Sequence, residues 1–334
     1  MNQLFRWDQM GLFLLALAAG ILPFAVPEVC AAALREGLTL CSGPLLLSLF
    51  PFLVVSRLLI QCPESDLLAL LFRLAAWGIG IRTPCAARVL CIGFLGGFAP
   101  AASAAAQAVR TGQLTAEEAD ALLPACICSG PSFVVLTVGQ SLLGSAELGV
   151  LLFASQITAN YLTAALLNRF VGVRSVKPGS AAPASPAPPR LDEILADAAI
   201  TYCKLCGFIL FFRMLAAGAG ALLPAGAGTL CSILLEVCSG CDLASRTGRW
   251  GSLLCCAALS VQGLSVLLQV RTICPPEMTL RPLYRARLLH LPLSLALFYL
   301  LLPGGEADVF STLPARVLLM RRAVSYTHLT LPTT

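Results

Sequence analysis

Long stretches without a charged side chain dominate the sequence and are separated by short charged segments. An α-helix rises about 1.5 Å per residue, so about 20 apolar residues cross a hydrocarbon core of about 30 Å. The pattern predicts an all-α, polytopic membrane helix bundle, and the first stretch is expected to remain as a transmembrane helix because its start is only weakly basic. The uncharged stretches are Gln9–Pro27, Gly37–Ser56, Val89–Val109, Ala121–Ala146, Leu148–Asn168, Trp250–Val270 and Leu288–Gly305.

Helix-breaking residues interrupt three apolar regions and predict breaks near Gly97, Gly130 and Gly240. An interrupted helix frees backbone N–H and C=O groups, which lipid cannot satisfy, so such ends occur inside a bundle or beside a wet cavity. We therefore expect these three breaks to lie away from lipid. Between the first two, Thr111–Leu123 predicts a soluble-looking helix with a capping box that begins at Thr115.

A Pro/Ala/Ser-rich segment, Ser175–Arg190, predicts a flexible linker that divides the chain. Basic residues around it and across Arg271–Arg287 place both regions on the cytoplasmic side by the positive-inside rule. The last ten residues, 325–334, resemble a translated sequencing adaptor and are not expected to belong to the fold. The predicted parts are an N-terminal transmembrane helix (1–36), a first half (37–170), the linker (171–190), a second half (191–303) and a C-terminal tail (304–334).

Two short echoes suggest an internal repeat, although such matches also arise by chance in Leu/Ala-rich sequence. The spacing Phe-x4-Arg-x-Leu starts at Phe52 and again at Phe208, and Gly130-Pro131-Ser132 is echoed by Gly263-Leu264-Ser265. Paired interrupted segments are the best sequence indication of a transporter site. A genuine repeat would give two pseudo-symmetric halves that meet near the bilayer midplane.

Glu236 is a carboxylate inside an apolar stretch, where a charge costs about 2.5–3.5 kcal/mol by insertion scales. This cost favours a functional role, namely coupling of transport to a proton or Na⁺. The alternative is a structural ion pair with Arg57 or Arg213. Gln156 and Asn160, one helical turn apart, are either functional or helix–helix contacts.

Further polar residues are candidates for solute binding. Gln262, Ser265 and Gln269 would share one face if Trp250–Val270 forms an unbroken helix, with helix–helix hydrogen bonding as the alternative. Hydroxyls and free amides at helix breaks can hold an anionic group at half-helix N-termini, although a simple kink would use the same residues. The candidates at breaks are Gly97, Ser129, Gly130, Ser132, Ser239 and Gly240.

Composition excludes several classes of protein. Only 12% of residues are charged, against about 25% in an ordinary soluble domain, which excludes a water-soluble globule. No polybasic block points to nucleic acid. Two Cys-x-x-Cys pairs, at Cys203 and Cys238, imitate a zinc site but lie in apolar surroundings, so the cysteines are interpreted as reduced packing residues. With only two histidines and no HExxH motif, we predict no enzyme, metal or cofactor.

Six motifs in order resemble the sporulation integral membrane protein YlbJ family, whose members carry a nucleoside-recognition or Gate domain. The chain departs from the family pattern at Ile127 and Cys128, where relatives tend to have two asparagines, and at Gly96-Gly97, where Ser-Gly is expected. The motifs are Gly93–Gly97, Gly112–Thr115, Ser129–Phe133, Leu235–Cys241, Gly263–Gln269 and Arg285–His290.

The resemblance implies a multi-pass transporter of a small polar or anionic solute, dipicolinate or nucleoside-like, linked to sporulation. It implies a location in the bacterial cytoplasmic membrane, with the forespore-surrounding membrane as one candidate, and the expected partners are the solute and the lipid bilayer. The resemblance neither requires nor excludes a homo-oligomer. The competing interpretation is a non-transporting sporulation scaffold protein. Intramembrane carboxylates beside broken helices favour transport.

Overall fold

The computed structural model describes residues 2–61, 67, 69–171 and 190–302, and the regular elements within them are helical. This confirms the all-α prediction. The predicted linker, except Val171 and Arg190, and the predicted tail lie outside the described residues. The helices of the first half and its N-terminal extension are α1 (Asn2–Ala25), α2 (Pro27–Ser42), α3 (Pro44–Gln61), α4 (Leu70–Gly78), α5 (Pro84–Gly96), α6 (Phe98–Arg110), α7 (Ala116–Cys126), a π-helix (Ser132–Leu142) and α8 (Ala146–Val171).

The second half has one long helix, two interrupted helices and a final helix, and the first half has the same order except for the additional helix α4. A single 3₁₀ turn, Gly248–Trp250, lies between the two interrupted helices. The helices are α9 (Leu191–Leu222), α10 (Ala225–Leu235), α11 (Val237–Ser245), α12 (Gly251–Val261), α13 (Gly263–Ile273) and α14 (Arg281–Leu301).

Within the part of the chain that the structure describes, four helical segments are long and apolar enough to cross a membrane, by length and composition. Shorter apolar helices, among them α5, α10 and the π-helix, accompany them. These apolar helices are compatible with a membrane protein of the helical type. The four segments are Pro27–Leu47, Ala146–Phe170, Leu191–Leu222 and Gly248–Ile273.

Two predicted helix boundaries in the second half are wrong. The break expected near Gly240 falls at Glu236, whose extended backbone separates α10 from α11. Gly240 lies inside α11, where a Cβ atom would approach Ile233 Cα to 2.8 Å, so this glycine permits close packing. The expected unbroken helix Trp250–Val270 is interrupted at Gln262, which has a left-handed backbone with φ +63°.

The helix α7 is buried instead of water-exposed, although its predicted capping box is present. The Glu118 carboxylate caps α7 and accepts a hydrogen bond from Thr83 at 2.6 Å. Asp120 accepts hydrogen bonds from the backbone amides of Thr279 and Leu280 at 2.8 and 3.1 Å. Glu118 and Asp120 thus do not lie at a water-exposed surface. Their hydrogen bonds connect α7 to the start of α5 and to the segment before α14.

The two halves contact each other along several helix pairs. In the described residues α3 packs on α9, α6 on α13, and α7 and α8 on α14. The predicted basic loop Arg271–Arg287 is mostly helical, since only 274–280 separates α13 from α14. Arg287 is 8% exposed and lies within α14, so it is a buried residue and not a loop charge.

Candidate functional site

In the first half, the break between α5 and α6 crosses the break between α7 and the π-helix. Gly97 joins α5 to α6 with φ +81°, a conformation that favours glycine. A Cβ atom at Gly97 would lie 2.6 Å from the amide nitrogen of Gly130. The two segments of the chain therefore contact each other through their backbones at the point where both helices are interrupted.

The second half contains an equivalent crossing. Gly263 begins α13 with φ +69°, and a Cβ atom there would lie 2.9 Å from the backbone nitrogen of Glu236, which separates α10 from α11. The echoed tripeptides that begin at Gly130 and Gly263 both occupy the second break of their half. The internal echo thus corresponds to equivalent places in the order of elements.

Glu236 caps the helix that follows it. Its carboxylate accepts hydrogen bonds from the amides of Cys238 at 2.9 Å and Ser239 at 2.7 Å, and the residue is 2% exposed. A carboxylate is favoured at a helix N-terminus, because it pairs free N–H groups and the positive end of the helix dipole. The amides of α11 that were expected to hold a solute anion are thus held by the chain's own side chain.

Neither arginine proposed as an ion-pair partner of Glu236 contacts it among the described residues. Arg57 pairs with Asp197 at 2.5 Å, which connects α3 to α9. Arg213 pairs with Glu36 at 2.7 Å, which connects α9 to α2. In both pairs the arginine is nearly buried and the carboxylate is largely exposed. The direct contacts of the Glu236 carboxylate are therefore with a helix terminus and not with a side-chain cation.

The three polar residues expected on one helix face are divided by the break. Gln262 is 1% exposed at the break, and both polar atoms of its amide have no hydrogen-bond partner among the described residues. Gln269 donates to Ser265 at 2.9 Å within α13, and its Oε1 has no such partner. Buried polar groups are normally paired, so these two amides are available to a ligand or a water molecule.

The two serines at the first-half break differ in burial. Ser129 is 6% exposed, beside the crossing at Gly97. Ser132 lies at the start of the π-helix and is exposed. Only Ser129 thus lies inside the bundle, and a role for the Ser132 hydroxyl in an internal site is not supported by its position.

Sequence reasoning missed the contribution of Arg287. Its guanidinium donates to the carbonyl oxygens of Ile127 at 2.5 Å and Ser260 at 3.4 Å, which lie at the C-terminal ends of α7 and α12. Helix C-termini carry about half a negative charge each, so two of them stabilise a buried cation. No carboxylate pairs with Arg287 among the described residues. The sequence placed Arg287 in a basic region and in one of the six motifs, but neither pattern indicated a buried guanidinium.

Polar side chains of α8 complete the cluster around Arg287. Asn160 donates to the Ile127 carbonyl at 3.3 Å, and Gln156 donates to the Ser260 hydroxyl at 3.0 Å. His290 contacts the Gln156 carbonyl at 3.2 Å. These contacts tie α8 and α14 to the ends of both interrupted helices, which makes Gln156 and Asn160 helix–helix contacts in this arrangement.

A cavity of about 180 Å³ lies between α3, α6, α9 and α13, at the contact of the two halves. Its charged lining residues are Arg57, Arg110, Asp197 and Lys204, and its buried polar lining includes Ser103 and Gln269. Two of the predicted site residues, Arg57 and Gln269, are thus brought together here. The described residues contain no group of three His, Cys, Asp or Glu side chains arranged to hold a metal ion.

No protein-family model matches the chain, and no match was found among curated proteins or among solved structures. The likeness to the YlbJ family therefore depends on the six sequence motifs alone. Function has to be inferred from the crossings, the cavity and the buried polar groups.

Proposed function

We propose that this protein is a membrane transporter of a small polar or anionic solute. The observation that carries the proposal is the pair of crossings, Gly97 on Gly130 and Gly263 on Glu236, formed by interrupted helices in the same order in each half. Interrupted helices within a bundle place free backbone groups where a solute or ion can reach them. A scaffold protein has no comparable need for such breaks.

The cavity at the contact of the halves supports the same function. A solute that binds between two bodies can be exposed to either side when one body moves relative to the other. The cation excess of the cavity favours an anion over a neutral nucleoside. The sequence likeness to the YlbJ family supports dipicolinate as the first solute to try, in the cytoplasmic membrane of a spore-forming bacterium.

Coupling to a proton or Na⁺ at Glu236 is part of the proposal in a restricted form. Each carboxylate oxygen accepts one backbone hydrogen bond, so only its remaining lone pair is available to a proton or Na⁺. An ion that binds there shares the carboxylate with the N-terminus of α11. Uptake driven by an imposed proton or Na⁺ gradient measures this coupling.

The experiment is solute uptake into proteoliposomes that contain the purified full chain. We expect labelled dipicolinate to accumulate above the level of protein-free liposomes, and labelled uridine to accumulate less. Monodisperse, correctly inserted protein that moves neither solute under any imposed gradient would contradict the proposal. That outcome would favour the non-transporting scaffold.

A further inference from the structure

The cavity between α3, α6, α9 and α13 is lined by exposed charged residues and by buried polar ones. Arg110, Asp197 and Lys204 are exposed lining residues, whereas Ser103 and Gln269 are 3% and 2% exposed. The buried serine belongs to the first half and the buried glutamine to the second. A molecule in this cavity would therefore touch both halves.

The charges of the lining favour an anion. Three cations, Arg57, Arg110 and Lys204, face one carboxylate, Asp197. The excess of two positive charges sits in a cleft with low-dielectric walls, which concentrates the field. Arg57 is the most buried of the three cations, with 8% of its surface exposed.

Two buried polar atoms of the lining residues have no hydrogen-bond partner among the described residues. They are Nε of Arg57 and Oε1 of Gln269. Arg57 meanwhile donates to Asp197 at 2.5 Å and to the Thr201 hydroxyl at 3.3 Å, both on α9. An unpaired buried polar group is costly, and a bound polar molecule can remove this cost.

We propose that this cavity binds a small anion through its carboxylate or phosphate group, with Arg57 as the central cation, and that Asp197 competes with the anion for Arg57. The site rests on the proposed transport function, but binding can be measured without transport. The volume of about 180 Å³ is below the roughly 300 Å³ at which pockets for drug-sized ligands begin, which limits the ligand to a small ion.

Isothermal titration of the full chain in detergent micelles tests the site with three probes. Disodium dipicolinate presents carboxylates, sodium phosphate presents a phosphate group, and uridine is a neutral control. We expect at least one anion to bind and uridine not to bind. Which anion binds more tightly distinguishes a carboxylate ligand from a phosphate ligand.

Two substitutions in the cavity should change anion affinity in opposite directions. Arg57→Gln should weaken binding about tenfold, because charge-assisted hydrogen bonds are the strong ones. Asp197→Asn should strengthen binding about two- to fivefold, because it removes a competing carboxylate that is itself largely exposed. A purely structural ion pair would give weaker binding for both variants.

The chain provides a matched control in the pair of Arg213 with Glu36. The exposed fraction of the arginine side chain is 13% in this pair and 10% in the pair of Arg57 with Asp197. The exposed fraction of the carboxylate side chain is 65% and 61%, respectively. Neither residue lines the cavity. Glu36→Gln should therefore leave the affinity for the anion unchanged. If Arg57→Gln does not fold, Lys204→Gln at an exposed lining position should also weaken binding.

Several outcomes would overturn the cavity site. These are no binding of either anion to folded protein, equal binding of uridine, or an affinity for Asp197→Asn equal to or below that of the unaltered chain. Anion binding without any uptake would support the proposed binding site and contradict the proposed transport function. If Arg57→Gln and Asp197→Asn take up dipicolinate with an unchanged half-saturating concentration, the result would support transport and contradict a binding site in this cavity.

Discussion

Gln262 combines a left-handed backbone with a buried amide that has no partner among the described residues. A left-handed conformation costs a non-glycine residue about 1–2 kcal/mol, and an unpaired buried polar group about 1–3 kcal/mol. We expect Gln262→Gly to raise the midpoint of thermal unfolding in detergent. Leu280→Gly is the control, since Leu280 is also left-handed but fully buried. It should lower the midpoint, because the lost packing exceeds the backbone gain.

Glu236 stabilises α11 at its N-terminus, so its removal should affect stability as well as transport. Glu236→Gln keeps one acceptor oxygen but loses the charge, and we expect it to destabilise the fold by about 1 kcal/mol. Glu236→Asp should stay close to the unaltered protein, because aspartate is a preferred N-cap. Thermal unfolding of the three proteins measures this order. Equal midpoints for Glu236→Gln and the unaltered chain would contradict a capping role.

At the scale of helices, the sequence predicts breaks where glycine and proline cluster, and the breaks at Gly97 and Gly130 are confirmed. The break at Gln262 was missed because glutamine rarely adopts a left-handed backbone. The break at Glu236 was placed four residues late, since a carboxylate in an apolar stretch indicates a site as readily as a cap. Glycine thus located the breaks of the first half, but in the second half Gly240 lies inside a helix and Gly263, next to the break at Gln262, was not interpreted as a break.

The crossing at Gly97 should not tolerate a side chain. A Cβ atom there would lie 2.6 Å from a backbone nitrogen, which cannot move aside as a side chain can. We expect Gly97→Ala to destabilise the protein by more than about 2 kcal/mol, with strain from the positive φ included. Gly207→Ala in α9 is the control, because nothing lies within 4 Å of a Cβ there and alanine favours a helix. It should raise the unfolding midpoint, and a similar loss in both variants would contradict close crossing.

At the scale of the whole molecule, short echoes suggested two related halves, but neither the interruption of the helix at Gln262 nor the contacts between the halves could be predicted. The pairing of Asp120 with the amides of Thr279 and Leu280 joins residues about 160 positions apart. The cavity likewise depends on α3 meeting α9, which no local pattern encodes. Residues such as Arg57 and Gln269 could be singled out from the sequence, whereas their meeting in one cavity could not.

The contacts between halves should be strong enough to assemble separate chains. Residues 1–171 and 190–334, expressed together, should co-purify and bind the same anion as the intact chain. The buried contacts of α3 with α9 and of α7 and α8 with α14 supply the association. Asp120→Ala should weaken it, because it leaves two backbone amides of the second half unpaired. Co-purification yield and titration measure both effects, and halves that never associate would contradict this expectation.

Arg287 has a consequence for membrane voltage. Its positive charge is balanced by backbone carbonyls at two helix ends, and no carboxylate travels with it among the described residues. If the helix ends separate during transport, net charge moves through the field, at about 2.3 kcal/mol per elementary charge per 100 mV. Uptake should then change with an imposed potential, and Arg287→Gln should reduce this voltage dependence. A current recorded from planar bilayers would register the displacement of this single guanidinium directly.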